Sequence, residues 1–199
     1  MKEKSLMFSL MRERGTNLID ELTTALVNNM RFSDHNVLYP TYGVPKPNEG
    51  VRPEWFYDAY KASNGYSELD SIHMYITQEA MFEELGEMMM GVALVEMKHL
   101  DKLGDLIMSL GGQVARPGST ESIEYGSSPV EAVHFALSAE QSAVKGYDEI
   151  MEKVIALPQN ETTRYTLTLL AKLMADERLH IEMFEEWLRE NANRRRGDE

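Results

Sequence analysis

The feature that most constrains this chain is a doubled pattern of carboxylates and histidines at helical spacing. Glu96 and His99 stand at i, i+3 inside one apolar helical stripe, and Glu177 and His180 repeat that spacing inside another. Because side chains three residues apart share one face of a helix, each pair projects a carboxylate and an imidazole into a prospective core. A fold for this chain must therefore place both pairs where their charges are compensated.

Each of these pairs is preceded by a glutamate on a separate helical segment. Glu68 is followed seven residues later by Tyr75, and Glu140 is followed seven residues later by Tyr147. Seven residues are close to two helical turns, which places each tyrosine on the face of its own glutamate, about 10 Å along the axis. The two halves of the chain thus share one order, a Glu-then-Tyr helix followed by a Glu-x-x-His helix.

Capping signals predict four helices in the region that contains these residues. Proline or serine stands where helices should begin, and a Gly-Gly pair stands where the second should end. The first helix is predicted from Pro53 through Gln78, with a bend at Gly65, and the second over about 83–110, before Gly111 and Gly112. The third should begin at Ser128 and Pro129, with Glu131 in a capping box, and end before Pro158. The fourth should cover about 160–189.

The connection between the second and third helices, residues 111–128, is too long for a hairpin. At about 3.3 Å per residue it can cover more than about 50 Å, which is enough to return along a helix of about 40 Å. The second and third helices are therefore predicted to run parallel, joined by a long crossover, as in one class of four-helix bundle.

Length and patterning predict one main domain with two flanking segments. The 199 residues, 43% of them hydrophobic, suffice for one sizeable core. Residues 1–53 are predicted to form an N-terminal helical extension and a Pro-rich connection that is either an ordered wrap or a linker. Residues 54–190 should form the bundle, and residues 191–199 a polar C-terminal tail.

Composition excludes several classes of function. A net charge of -13 opposes binding to nucleic acid or to an anionic membrane. The N-terminus has scattered charges and no continuous apolar run, so we predict neither a secretion signal nor a membrane span, and a cytoplasmic location. The chain has no cysteine, which rules out disulfides, thiolate zinc sites and iron–sulfur clusters.

Four carboxylates and two imidazoles in one core require cations, because each buried, unpaired carboxylate costs several kcal/mol. Two divalent ions cancel four negative charges, and this mixture of oxygen and nitrogen ligands suits iron or manganese. Glu96 and Glu177 are predicted to bridge the two metals, and Glu68 and Glu140 to be terminal ligands. On this reasoning, Glu96→Gln should relieve repulsion and leave the metal-free protein at least as stable.

Four segments resemble helices of known di-metal proteins. "ELDSIHMY", "EMKHLDKL" and "ADERLHIE" are similar to helices of bacterioferritins, and "AEQSAVKGY" resembles a helix of Dps-like proteins and small manganese catalases. The wider ferritin-like superfamily, rubrerythrins included, carries two glutamates and two Glu-x-x-His motifs at these places. All six residues match here, over about residues 54–190. The resemblance implies an all-α, ferritin-like four-helix bundle.

The resemblance also implies an oxidoreductase with two iron ions per chain, or manganese as an alternative, that reacts with dioxygen or hydrogen peroxide. Ferroxidase chemistry would use iron(II), and peroxidase chemistry would need an external electron donor. A di-manganese catalase and an iron-storage cage remain alternatives. A homo-oligomer, a dimer or larger, is expected, while nucleic-acid and membrane partners are not.

Three further residues have weaker functional interpretations. Tyr75 and Tyr147 are candidates for a redox or hydrogen-bonding role beside the metals, although each also suits a plain buried aromatic. Met97 matches the haem-ligating methionine of bacterioferritins, but it is rotated about 100° from the metal face. It could bind haem only at a dimer interface, so packing is the preferred interpretation and haem is not expected.

Overall fold

The computed structural model describes residues 31–61, 67–114 and 123–197. Within these ranges there is no strand, which confirms the all-α prediction, and no helix long and apolar enough to cross a membrane. Five α-helices lie within them, together with 3₁₀ turns at Pro53–Phe56 and Glu83–Leu85. The helices are α1 (Tyr57–Lys61), α2 (Glu68–Met81), α3 (Gly86–Ser109), α4 (Pro129–Ile155) and α5 (Glu161–Gly197).

The first predicted helix is divided, so the prediction of one continuous helix from Pro53 is wrong. The 3₁₀ turn leads into α1, and α2 begins afresh after Ser67, whose backbone is extended and whose hydroxyl accepts a hydrogen bond from Asp70 N–H at 3.2 Å. A serine in this conformation caps a helix N-terminus, so "SELD" starts a helix that was expected to pass through it. The bend predicted at Gly65 lies outside the described residues.

The end of α3 confirms the predicted glycine stop. Gly111 has a φ of 83°, which is in the left-handed region that favours glycine. Its N–H donates to the Met108 carbonyl at 3.0 Å, and Gly112 N–H donates to the Ile107 carbonyl at 2.9 Å. These two bonds satisfy carbonyls that the helix itself leaves unpaired.

The predicted start of α4 is confirmed, but the predicted end of α5 is wrong. Ser128 accepts from Glu131 N–H at 3.3 Å, while the Glu131 carboxylate accepts from Ser127 N–H at 2.8 Å, one residue before the expected partner. The last helix was expected to end near Arg189, whereas α5 continues to Gly197, into the segment predicted to be a tail. The helix thus continues beyond its apolar pattern, which is why periodicity placed its end too early.

The helices form two antiparallel hairpins, α2 with α3 and α4 with α5, joined by the long connection. Two buried hydrogen bonds fix their relative direction. The Tyr75 hydroxyl donates to Glu140, and the Tyr147 hydroxyl donates to Glu68. Each tyrosine lies seven residues after its own glutamate, so this reciprocal pairing requires α2 and α4 to run in opposite directions. Therefore α3 and α4 are parallel, as the predicted crossover requires.

The core consists of two hydrophobic clusters with a polar layer between them. On α3, Val95 is the last residue of the first cluster and Leu103 is the first of the second, with Glu96 and His99 between them. The same alternation holds on α4 and α5. The first cluster includes Met89, Val92, Ala136 and Phe184, and the second includes Leu106, Ile150, Leu169 and Leu170.

Residues 31–52 wrap the bundle as an ordered segment, which decides between the two interpretations of the Pro-rich connection. Phe32 and Val51 are buried at its two ends. Near the start of α5, Thr162 accepts from Lys46 N–H at 2.9 Å and donates to the Glu49 carboxylate at 2.5 Å. The N-terminal helical extension predicted to precede this segment falls on residues 1–30, which lie outside the described residues.

Candidate metal centre

The structure brings all six predicted ligand residues together inside the bundle. Each of them is at most 4% exposed. Their ligand atoms form two overlapping sets, and within each set these atoms lie within 4.8 Å of one another. The first set is Glu68, Glu96, His99 and Glu177, and the second is Glu96, Glu140, Glu177 and His180. Glu96 and Glu177 belong to both sets, as expected of bridging residues.

Each histidine directs Nδ1 towards three carboxylates. The Nδ1 atom of His99 lies 2.9 Å from Glu96 Oε2, 3.1 Å from Glu177 Oε1 and 3.5 Å from the terminal glutamate of its set. The Nδ1 atom of His180 lies 3.0 Å from Glu96 Oε1, 3.3 Å from Glu177 Oε2 and 3.7 Å from its terminal glutamate. Glu96 and Glu177 thus give one oxygen to each histidine.

These separations fit ligands arranged around divalent cations. Two groups held at right angles, each about 2.1 Å from one cation, lie about 3 Å apart. Four atoms of the site have no hydrogen bond of acceptable geometry, namely Glu96 Oε1, both carboxylate oxygens of Glu177 and His180 Nδ1. Buried polar atoms are rarely left unpaired, so the cluster fits a dinuclear metal site.

The outer ring nitrogens of the two histidines have different partners. The Nε2 atom of His99 lies 3.1 Å from Asp176 Oδ2, whereas that of His180 lies 2.8 Å from the backbone carbonyl oxygen of Phe32. Both partners accept hydrogen bonds, so in the neutral imidazole each Nε2 carries the proton. That leaves the Nδ1 lone pairs facing the carboxylates and available to a cation.

The two tyrosines hold the terminal glutamates, and they do so crosswise. Tyr75 donates to Oε1 of Glu140, and Tyr147 donates to Oε1 of Glu68, so each tyrosine serves the glutamate of the other half. Spacing along one helix placed each tyrosine near its own glutamate and did not reveal this exchange. The bonds leave Oε2 of both glutamates directed at the histidines.

Burial and mutual contact shift the pKa of most of these groups. Burial raises the pKa of Glu68 and Glu140 well above the usual value, and the neighbouring carboxylates raise it further. Burial opposes charge on His99 and His180, but the surrounding carboxylates outweigh it and raise both pKa values. Burial also acts against charge on Glu96, yet its contacts with the two histidines lower its pKa. Without metal, these raised pKa values favour proton binding by the histidines and terminal glutamates, and cations would compete with those protons.

The three other histidines of the chain and Met97 lie away from this centre. His35, His73 and His134 are exposed, and His73 is 3.0 Å from the Tyr125 hydroxyl. Met97 is 39% exposed on the outside of α3. The packing role preferred for Met97 over haem binding requires a second chain and stays a prediction.

Sequence reasoning missed the residues that support the histidines from outside. Asp176 and Lys172 are buried, and Lys172 Nζ lies 2.7 Å from Asp176 Oδ1. The available signal was a lysine four residues before an aspartate within the apolar run "LLAKLMAD", a spacing that suits an ion pair on one helix face. The contribution of Phe32 had no comparable signal, because it is made by a backbone carbonyl.

A four-helix bundle with a buried, shared set of carboxylates and histidines defines the class of the di-metal carboxylate proteins. The chain belongs to the ferritin-like domain family, whose family model matches residues 59–192. This confirms the superfamily resemblance seen in the sequence. A search of curated proteins finds no match to the chain.

Among solved structures, the chain is similar to a bacterioferritin from Rhodobacter capsulatus, with a TM-score of 0.58 and 21% identity. The similarity covers 71% of this chain and 85% of that chain. That structure is described as having a metal-free dinuclear site and a haem iron. At this level of identity, the similarity establishes the ferritin-like fold.

Proposed function

We propose that this chain is a non-haem di-iron protein that binds iron(II) and reacts with dioxygen or hydrogen peroxide. The observation that carries the proposal is the sharing of Glu96 and Glu177 by two ligand sets, one around His99 and the other around His180. Shared carboxylates couple two metals, so that one reaction can draw one electron from each. An isolated mononuclear site would not need the second set.

The ligand types support iron or manganese. All six ligands offer oxygen or imidazole nitrogen, and the chain has no cysteine to favour a soft metal. Calcium prefers more oxygen ligands and does not use imidazole in this way. We assign iron because the chain is similar to a bacterioferritin, and metal analysis of protein purified without chelators tests that choice.

When bound, two iron ions would supply the two electrons that reduce one peroxide molecule to two waters, with two protons taken up as the O–O bond breaks. The chain's own residues hold and shield the site. Tyr75 and Tyr147 orient the terminal glutamates, and Asp176 and the Phe32 carbonyl orient the histidines. The two hydrophobic clusters exclude bulk water from the polar layer that lies between them, which strengthens the electrostatic interactions within that layer.

Two features of the cycle depend on partners. As a ferroxidase, the protein would take iron(II) as its substrate, whereas repeated peroxidase turnover would need an external electron donor.

We also propose a homo-oligomer, because Leu94 and Met97 share an outer face of α3 and are 43% and 39% exposed. Ile76 on α2, 38% exposed, adds to the apolar surface.

An anaerobic iron(II) titration followed by mixing with dioxygen or peroxide tests the proposal. We expect two iron ions to bind per chain and to be oxidised rapidly. The oxidation is monitored through the rise in the near-ultraviolet absorbance of iron(III). His99→Gln should lose one of the two bound ions and most of the rate, because it removes a ligand. His134→Gln is the matched control, since this histidine is exposed on α4, and it should behave as wild type. Equal behaviour of the two variants would refute the assignment.

The same preparations distinguish the alternatives. A di-manganese catalase would contain manganese and release oxygen from peroxide without a reductant. An iron-storage cage would elute as a large assembly and take up many iron ions per chain. A dimer that oxidises two iron ions per chain and consumes peroxide only with a donor supports the peroxidase form of the proposal.

A further inference from the structure

The N-terminal segment Phe32–Tyr39, here called the strap, contacts the outer side of both half-sites. Its first residue accepts a hydrogen bond from His180 Nε2 through its backbone carbonyl, at 2.8 Å. Two residues later, Asp34 N–H donates to Asp176 Oδ1 at 2.6 Å, and Asp176 is the partner of His99. The strap therefore reaches one histidine directly and the other through one side chain.

Asp176 is oriented by three donors on one of its oxygens. Besides Asp34 N–H, Oδ1 accepts from the Ser33 hydroxyl at 3.1 Å and from Lys172 Nζ at 2.7 Å. The other oxygen, Oδ2, is left to His99. A carboxylate fixed in this way is held in line with the imidazole N–H, and a well-aligned carboxylate partner at Nε2 makes Nδ1 a stronger ligand.

Lys172 joins the strap to this carboxylate. It is only 3% exposed, and a buried ammonium group is costly unless it is paired and hydrogen-bonded. Its Nζ donates to Ser33 Oγ at 2.9 Å and to the Asp34 carbonyl, and it lies 5.3 Å from the centre of the Tyr39 ring. All these partners belong to the strap, so the lysine is placed to bind the strap and Asp176 to each other.

The side chain of the strap's first residue fits against α3. A Cβ atom on Gly91 would lie 2.2 Å from the Phe32 ring, so only glycine leaves room for the ring in its present position. The ring is 1% exposed. Close fit at Phe32 and the buried lysine near Asp34 are independent signs that the strap is held in one position against the centre.

We propose that the strap is a positioning element of the di-metal centre and makes its two half-sites unequal. Resting on the proposed function, the inference assigns the tighter metal to the His99 half-site, where the outer partner is a carboxylate. The His180 half-site, whose outer partner is a neutral carbonyl, holds the weaker one. Ser33 and Lys172 are positioning residues for the first half-site only.

Anaerobic titration with cobalt(II), followed by its visible absorption bands, tests the inference without measuring turnover. Wild type should bind two ions in two steps, and His99→Gln and His180→Gln should each remove one step and so assign them. Lys172→Met keeps the side-chain stem and should weaken the His99 step by roughly 10- to 100-fold, with the His180 step little changed. Lys46→Met, which removes an exposed lysine 4.0 Å from Glu161, is the control and should change neither.

If Lys172→Met folds poorly, Ser33→Ala provides a milder version of the same test. We expect this variant to lose several-fold in cobalt affinity at the His99 step. If wild type binds fewer than two cobalt ions, the proposed di-metal function itself fails. If wild type binds two ions but the lysine and serine variants keep both affinities, or lose both equally, the strap has only a structural role and this inference is overturned.

Discussion

Replacing Glu96 by glutamine in the metal-free protein distinguishes two accounts of the centre. The sequence alone suggested four mutually repelling carboxylates, so that removing one charge would cost nothing. The structure instead places Glu96 between the two histidines, with its oxygens 2.9 Å from His99 Nδ1 and 3.0 Å from His180 Nδ1. The pKa of Glu96 is lowered and those of both histidines are raised, so Glu96 is an ion-pair partner in the absence of metal. We therefore expect Glu96→Gln to destabilise the metal-free protein.

The size of this effect follows from the burial of the ion pairs. Removing one partner of a buried pair costs about 3–5 kcal/mol when the other charge remains. Here a histidine can release its proton instead, which limits the cost to about 2–4 kcal/mol at neutral pH. A change of 1 kcal/mol moves the Tm of a chain of this size by about 2–4 °C, so we expect a Tm roughly 5–15 °C below wild type.

Thermal melts with chelator, followed by circular dichroism, provide the assay, and Glu140→Gln is the matched control. The pKa of Glu140 is raised by burial and by Glu96, which favours its neutral form, and a glutamine oxygen can still accept from Tyr75. Its metal-free stability should change by less than about 1 kcal/mol. Iron(II) at 100 times its Kd should stabilise wild type by about 2.7 kcal/mol per site and so raise its Tm. Both variants should lose most of that increase in Tm. A metal-free Glu96→Gln as stable as wild type would refute the ion-pair account.

Further predictions concern protons, metals and the strap. Groups with raised pKa stabilise the metal-free protein fully below their unfolded values, 4.5 for glutamate and 6.5 for histidine, and this stabilisation is lost as pH rises toward the folded values. Melts with chelator from about pH 5 to 8 should therefore show a falling Tm, and a rising one would contradict the shifts. Two glutamates and two histidines carry these raised values, so metal loading in weak buffer should release up to four protons per chain, read with a pH indicator. X-ray absorption of iron-loaded protein should give a metal–metal separation of about 3.5–4 Å, and the absence of that vector would argue against a dinuclear centre. Gly91→Ala should cost about 1–3 kcal/mol because its Cβ meets the Phe32 ring, whereas Gly146→Ala, whose Cβ meets nothing within 4 Å, should be neutral or stabilising in the same melts.

The parts of the fold that the sequence predicted are those with local causes. Gly111 and Gly112 end α3 through hydrogen bonds to residues at most five positions earlier, and Ser128 caps α4 through a residue three positions later. The division of the first helix at Ser67 was also local, and its capping signal was overlooked beside the longer apolar pattern. The end of α5 was not predictable from periodicity, because its last turns are polar.

The inner part of the centre could be predicted because it repeats. Two Glu-x-x-His pairs and two upstream glutamates are visible at fixed spacing, and the structure brings them together. The outer part could not, because its contacts join residues far apart in the chain. Phe32 and His180 are separated by 148 positions, and Asp34 and Asp176 by 142. No local pattern relates such residues, and one of the groups involved is a backbone carbonyl.

The strap also explains how a centre with two similar halves becomes asymmetric. The inner contacts keep the symmetry of the repeat, since Glu96 and Glu177 each give one oxygen to each histidine. The outer contacts break that symmetry, because Asp176 precedes Glu177 whereas Val95 precedes Glu96, and because the strap lies outside both halves and outside the residues matched by the ferritin-like domain family, 59–192. From α5, Asp176 gives His99 a carboxylate partner that Lys172 and the strap hold in place, whereas the strap itself gives His180 the Phe32 carbonyl. Unequal half-sites would fill in a set order, and the proposal predicts that this order depends on the contacts between α5 and a segment outside the residues that the family model matches.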